Sequence, residues 1–109
     1  MQYGFASVCI HPYYVPLASK LMGCSPVKVC TVIGFPLGCN AWEVKVLEAQ
    51  KAVSDGATEI DMVMNMSAFK NGKYEGVRND IKSVIDSVPN NILVKVILET
   101  CHLSEKEIK

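Results

Sequence analysis

The feature that most restricts this chain is a repeated alternation. Four short runs rich in β-branched and apolar residues, at 5–10, 27–33, 59–65 and 92–98, are separated each time by a stretch with helical spacing and never by a two-residue hairpin turn. Neighbouring strands without hairpins are parallel, and parallel strands need crossovers, which are helical and right-handed. The expected fold class is therefore α/β, with four parallel βα units.

Local signals set the limits of each unit. The first run stops at His11-Pro12, because proline lacks the N–H a ladder needs and biases the residue before it away from helix. Pro16 suits the first turn of a helix carrying Leu17, Ala18, Leu21 and Met22, and residues 23–26 stop it. After the second run, Gly34-Phe35-Pro36-Leu37-Gly38 reads as a turn, since it lacks the spacing of a phosphate-binding loop. Asn40 is a good cap for a helix with Trp42, Val46, Ala49 and Val53 on its apolar side and Lys45, Glu48 and Lys51 opposite, ending at Asp55-Gly56. Residues 70–73 read as a loop. Tyr74, Val77, Ile81, Val84, Ile85 and Val88 mark a second amphipathic helix, broken by Pro89-Asn90-Asn91. A loop over 99–102 follows the fourth run, and Ser104-Glu105-Lys106-Glu107 matches a capping box that opens a last helix.

Two architectures use such units, an open doubly wound sheet and a (β/α)₈ barrel. Polar residues within the runs (Ser7, Cys9, Thr31, Asp61, Asn65, Lys95) and Glu99 just beyond the last suit a barrel, whose mouth gathers them near the C-terminal ends of its strands. A whole barrel takes about 250 residues, whereas this chain has 109. It reads as a single partial barrel domain over residues 1–109. The formal net charge is zero, which speaks against nucleic acid or an anionic membrane as the main partner. No apolar run approaches the ~20 residues of a membrane span, and the N-terminal residues lack the basic start of a secretory signal. Five cysteines with no C-x-x-C spacing read as reduced thiols of a cytoplasmic protein rather than a disulfide framework or zinc site.

Asp61 stands in the middle of the third run. Strand alternation puts Asp61, Val63 and Asn65 on one face and Ile60, Met62 and Met64 on the other. An unpaired buried carboxylate is costly, so Asp61 either has a partner or faces a wet cavity where it does chemistry; the second, with a partner as well, fits better. Lys95 is the one charge in its run and the natural partner: a structural counter-ion, a proton-relay member, or a nucleophile if desolvated. Cys9, late in the first run, either packs in the core or faces the same cavity. His11 and His102 follow strands and share a mouth with Cys9 and Cys101, but no ligand spacing supports a metal there.

Cys9-Ile-His-Pro12, Val29-Cys-Thr-Val-Ile-Gly-Phe-Pro-Leu-Gly38, Gly56-Ala-Thr-Glu-Ile-Asp-Met-Val-Met-Asn65 and Leu93-Val-Lys-Val-Ile-Leu-Glu-Thr100 together resemble the deoxyribose-phosphate aldolases, particularly their shorter bacterial form. The resemblance runs through essentially the whole chain. It implies a class I aldolase barrel without metal or organic cofactor, which reversibly joins acetaldehyde to glyceraldehyde 3-phosphate and gives 2-deoxyribose 5-phosphate. It further implies catalytic roles for Asp61, a proton donor and acceptor working through an ordered water, and for Lys95 beside it, with Cys9 lining the substrate pocket. Thr31 and Asn65 would lie nearby, without a defined role. The family's Schiff-base lysine sits in a Lys-Thr-Ser-Thr-Gly strand, and no lysine here has that context. The chain then corresponds to strands two to five, with Met1 in the helix before the first of these, and inactivity alone is expected. Two open sheet edges predict self-association or pairing with a complementary barrel half. The alternative is a non-catalytic α/β module for a small phosphorylated ligand or a protein partner.

Overall fold

The computed structural model describes residues 4–109; the expected placement of Met1 in a helix lies outside the described residues. Among these, four strands form one sheet: β1 (Ser7–Ile10), β2 (Lys28–Ile33), β3 (Glu59–Val63) and β4 (Leu93–Ile97). They are parallel throughout and lie side by side in chain order. Helices α1 (Val15–Met22), α2 (Trp42–Ser54) and α4 (Tyr74–Ser87) supply the crossovers, while α3 (Met66–Lys70) is a short turn before α4 and α5 (Glu105–Ile108) ends the chain. Short 3-10 turns, Pro12–Tyr14 and Thr100–His102, follow β1 and β4. No described helix is long and apolar enough to cross a membrane.

Strand order decides between the two architectures. An open doubly wound sheet reverses direction at a switch point and carries helices on both faces. Here the order never reverses, and the crossover helices bury their apolar sides against one face only. Val15 of α1, Ala49 and Ala52 of α2 and Val84 of α4 meet Val29 and Ile33 of β2 and Ile60 and Met62 of β3 in a single core. Each fully buried aliphatic side chain of this kind contributes about 1.5–3 kcal/mol. The period-two expectation for β3 holds, since Ile60 and Met62 point into this core while Asp61 points away.

Several sequence readings need correction. Lys45 was expected on the solvent side of α2, yet it is fully buried, while Trp42, expected in the core, is half exposed. The buried stripe of α2 runs through Lys45, Ala49 and Ala52, because Lys45 finds a charged partner across the helix layer. The cap of α2 is Ala41 rather than Asn40, and it offers no side-chain hydrogen bond. β3 stops at Val63, two residues early, because Asn65 leaves the ladder and caps α3, its Oδ1 accepting from the Ala68 N–H at 3.1 Å. Thr31 faces the helix layer, fully buried, and its hydroxyl donates to the Ile10 carbonyl at 2.7 Å. The Ser104–Glu107 capping box forms as expected, with both reciprocal bonds.

Two contacts fix the end of β3. The Lys45 ammonium donates to Asp80 Oδ2 at 2.6 Å and to the Val63 carbonyl at 3.2 Å. The loop after β2 turns back at Gly38, whose N–H donates to the Gly34 carbonyl at 2.7 Å. Gly38 has φ +70°, and its backbone lies so close to the Met64 carbonyl that any side chain would collide with it.

Candidate active site

The sheet face turned away from the helices carries the candidate site residues. Register places Val32, Asp61 and Lys95 in one row across β2, β3 and β4, and Cys9 beside Cys30 one step lower on β1 and β2. Side chains in one row of a parallel sheet share a face. At the C-terminal end of the row lies a hollow of about 360 Å³, lined by Cys9, His11, Val32, Phe35, Asp61 and Ile97. A larger hollow, about 600 Å³, opens between α2, α3 and α4 on the other side of the sheet and does not include Asp61.

Lys95 Nζ stands 3.1 Å from Asp61 Oδ1. That oxygen is buried, and the ammonium approaches it at hydrogen-bonding distance but off the ideal direction. The contact with Asp61 holds the Lys95 ammonium above its ordinary pKa, outweighing the desolvation that would lower it. Lys95 is therefore a charged partner here rather than a free amine. Its side chain is 46% exposed and that of Asp61 22%, so the pair borders solvent.

Cys9 is exposed and Cys30 buried. Burial, with Cys9 and Asp61 as negative neighbours, pushes the Cys30 thiol up to about 12. Glu59, at the start of β3 beside Cys30 in register, keeps a buried oxygen without a partner among the described residues. Sequence reasoning named Asp61, Lys95 and Cys9, and the structure brings these three onto one face. It missed Cys30 and Glu59. Alternation within each strand would have put Cys30 on the Val32 side and Glu59 on the Asp61 side, but only the register shows that they are neighbours of that site.

The set Cys9, His11, Cys101 and His102 is not assembled. The described groups close enough to share an ion are Cys9, Cys30 and Asp61, and separately Glu99, Cys101 and His102. His11 joins neither; its ring meets Phe35 edge-on at 6.2 Å.

No protein-family model matches the chain. Among curated proteins it is similar to the deoxyribose-phosphate aldolase of Caldanaerobacter subterraneus subsp. tengcongensis, 56% identical over 108 residues, which cover 97% of this chain and 47% of that protein. A deoxyribose-phosphate aldolase of Clostridium perfringens is 54% identical over 107 residues, covering 98% and 48%. Among solved structures, an aldolase called QR15 superposes with a TM-score of 0.92 at 50% identity, covering 98% of this chain and 47% of that one. The deoxyribose phosphate aldolase of Aeropyrum pernix, described as a unique tetramer, superposes at 0.79 with 37% identity, covering 98% and 44%. The chain thus spans just under half the length of these relatives, and its four consecutive βα units are part of a (β/α)₈ barrel. By sequence and by fold, the chain is similar to just under half of each of the deoxyribose-phosphate aldolases it matches.

Proposed function

We propose that this chain forms one section of a class I aldolase that reversibly cleaves 2-deoxyribose 5-phosphate to glyceraldehyde 3-phosphate and acetaldehyde. The observation that carries the reading is the Asp61–Lys95 pair, 3.1 Å apart on the face free of helices and beside a hollow open to solvent. Asp61 is the group that gives and takes protons at the carbon next to the imine, through a water. That task needs a carboxylate within hydrogen-bond reach of a small cavity. Lys95, kept protonated by its neighbour, tunes and orients Asp61 instead of attacking the carbonyl. Cys9 lines the substrate side of the hollow.

The imine-forming amine comes from outside this section, because no lysine here lies in a Lys-Thr-Ser-Thr-Gly context. The working unit over residues 1–109 is thus one partial barrel domain, and its partners are the phosphorylated sugar and a complementary barrel section or further copies. Purified chain is expected to show no retro-aldol cleavage and no borohydride-trapped adduct. Co-expression with the complementary section of a relative should give turnover, and Asp61→Asn in that assembly should lower it by about 10²–10⁴-fold with the fold intact. Turnover by the chain alone, with a trapped adduct on Lys95, would overturn this division of labour and make Lys95 the nucleophile.

A further inference from the structure

Two thiols on the site face, Cys9 and Cys30, take no part in the proposed proton transfer. Cys9 and Cys30 are direct register partners on β1 and β2. Their sulfurs and a carboxylate oxygen of Asp61 all lie within 4.8 Å of one another. Adjacent strands run about 4.8 Å apart, inside the 4.4–6.8 Å span between Cα atoms that a disulfide tolerates. Both side chains leave the sheet on the same face, so the bond needs side-chain rotation rather than backbone movement. A soft metal is a poorer occupant, because the Lys95 ammonium already takes the Asp61 carboxylate and repels a cation.

We propose that Cys9 and Cys30 are a dithiol modification site, which hydrogen peroxide converts to a reversible disulfide joining β1 to β2 beside Asp61. Exposed Cys9 meets the oxidant first. Its thiolate attacks one peroxide oxygen, the O–O bond breaks, and the leaving hydroxide takes up the proton that Cys9 had released, giving water and a sulfenic acid. Cys30 then attacks that sulfur. The S–O bond breaks, and the departing hydroxide leaves as water with the Cys30 proton. Two electrons pass from the sulfurs to the peroxide, and two waters form. Order follows from environment: Cys9 is exposed to the oxidant, whereas Cys30 is buried and its thiol is pushed up to about 12 mainly by that burial.

The test uses the full chain with Cys24, Cys39 and Cys101, all exposed, replaced by serine. Hydrogen peroxide is added, free thiols are alkylated, and the protein is mapped without reduction. The expected result is a monomer lacking two hydrogens, with no alkylation at either remaining cysteine. A peptide pair linking Cys9 to Cys30 is expected, and dithiothreitol should reverse both changes. In a Cys30→Ala variant, Cys9 should stop at a sulfenic acid captured by dimedone. Oxidation of Cys9 to sulfinic acid in the parent while Cys30 remains alkylatable would overturn the proposal, as would links between chains only. Should Cys30→Ala fail to fold, the parent's map decides alone. Because the readout is mass and connectivity, it is independent of whether the aldolase reading holds.

Discussion

Among the described residues, two lysine–aspartate pairs that join different elements have contrasting surroundings. Lys45–Asp80 spans α2 and α4 at 2.6 Å, its side chains 0% and 7% exposed, with the Val63 carbonyl as a further acceptor. Lys95–Asp61 lies across β3 and β4 at 3.1 Å, its side chains 46% and 22% exposed. In the first, low dielectric makes each charge depend on the other, so the pair behaves as part of the core. In the second, solvent screens the attraction, so the pair contributes little stability and stays open to chemistry. Similar residue types thus hold the scaffold in one place and stand at the proposed reactive site in the other.

The sharpest way to break this contrast is Lys45→Ala. It strands Asp80 in the helix layer and frees the end of β3, and a loss of about 3–5 kcal/mol is expected from urea denaturation. The double change Lys45→Met with Asp80→Leu should recover most of that loss, because it removes both charges while keeping volume. A lasting deficit would mean that the bond to Val63, not the charge pair, is what matters. On the other face, Asp61→Asn should shift stability by no more than about 1 kcal/mol in the same measurement. A loss as large as that of Lys45→Ala would make the second pair structural and erase the distinction. The smallest effect is with pH. The folded-state pKa of Lys95 is raised above its ordinary 10.5, so its contribution is complete below that value and fades as pH climbs through the raised one. The stability gap between the wild type and Lys95→Met should therefore be steady near neutrality and shrink in strongly alkaline solution.

Much of this contrast was legible in sequence. A charge in the interior of each of two apolar strand runs, Asp61 and Lys95, is hard to explain by packing alone, and strand alternation gave Asp61 its side of the sheet. Lys45 was not legible. Its spacing along α2 matches both the polar and the buried side, and only the position of Asp80 on a helix 35 residues on makes its burial tolerable. Asn65 was misread as strand because a capping residue after an apolar run looks like one more alternating position. The five-residue α3 was missed for a related reason: so short a helix has no periodicity to detect. Register is the remaining gap. Nothing in the separate runs says that Cys9 sits opposite Cys30, since that depends on how far one strand slides along the next.

The close approach of Gly38 to the Met64 carbonyl has a consequence for how this protein can vary. The loop looks expendable, with Leu37 largely in water, yet its path serves as a mould against which the tail of β3 is cast. Exposed Leu37 is at liberty to exchange its side chain, while position 38 admits a single amino acid. A mutational scan of positions 37 and 38 should therefore show tolerance followed by a silent veto, located in the loop but felt in the strand that carries Asp61.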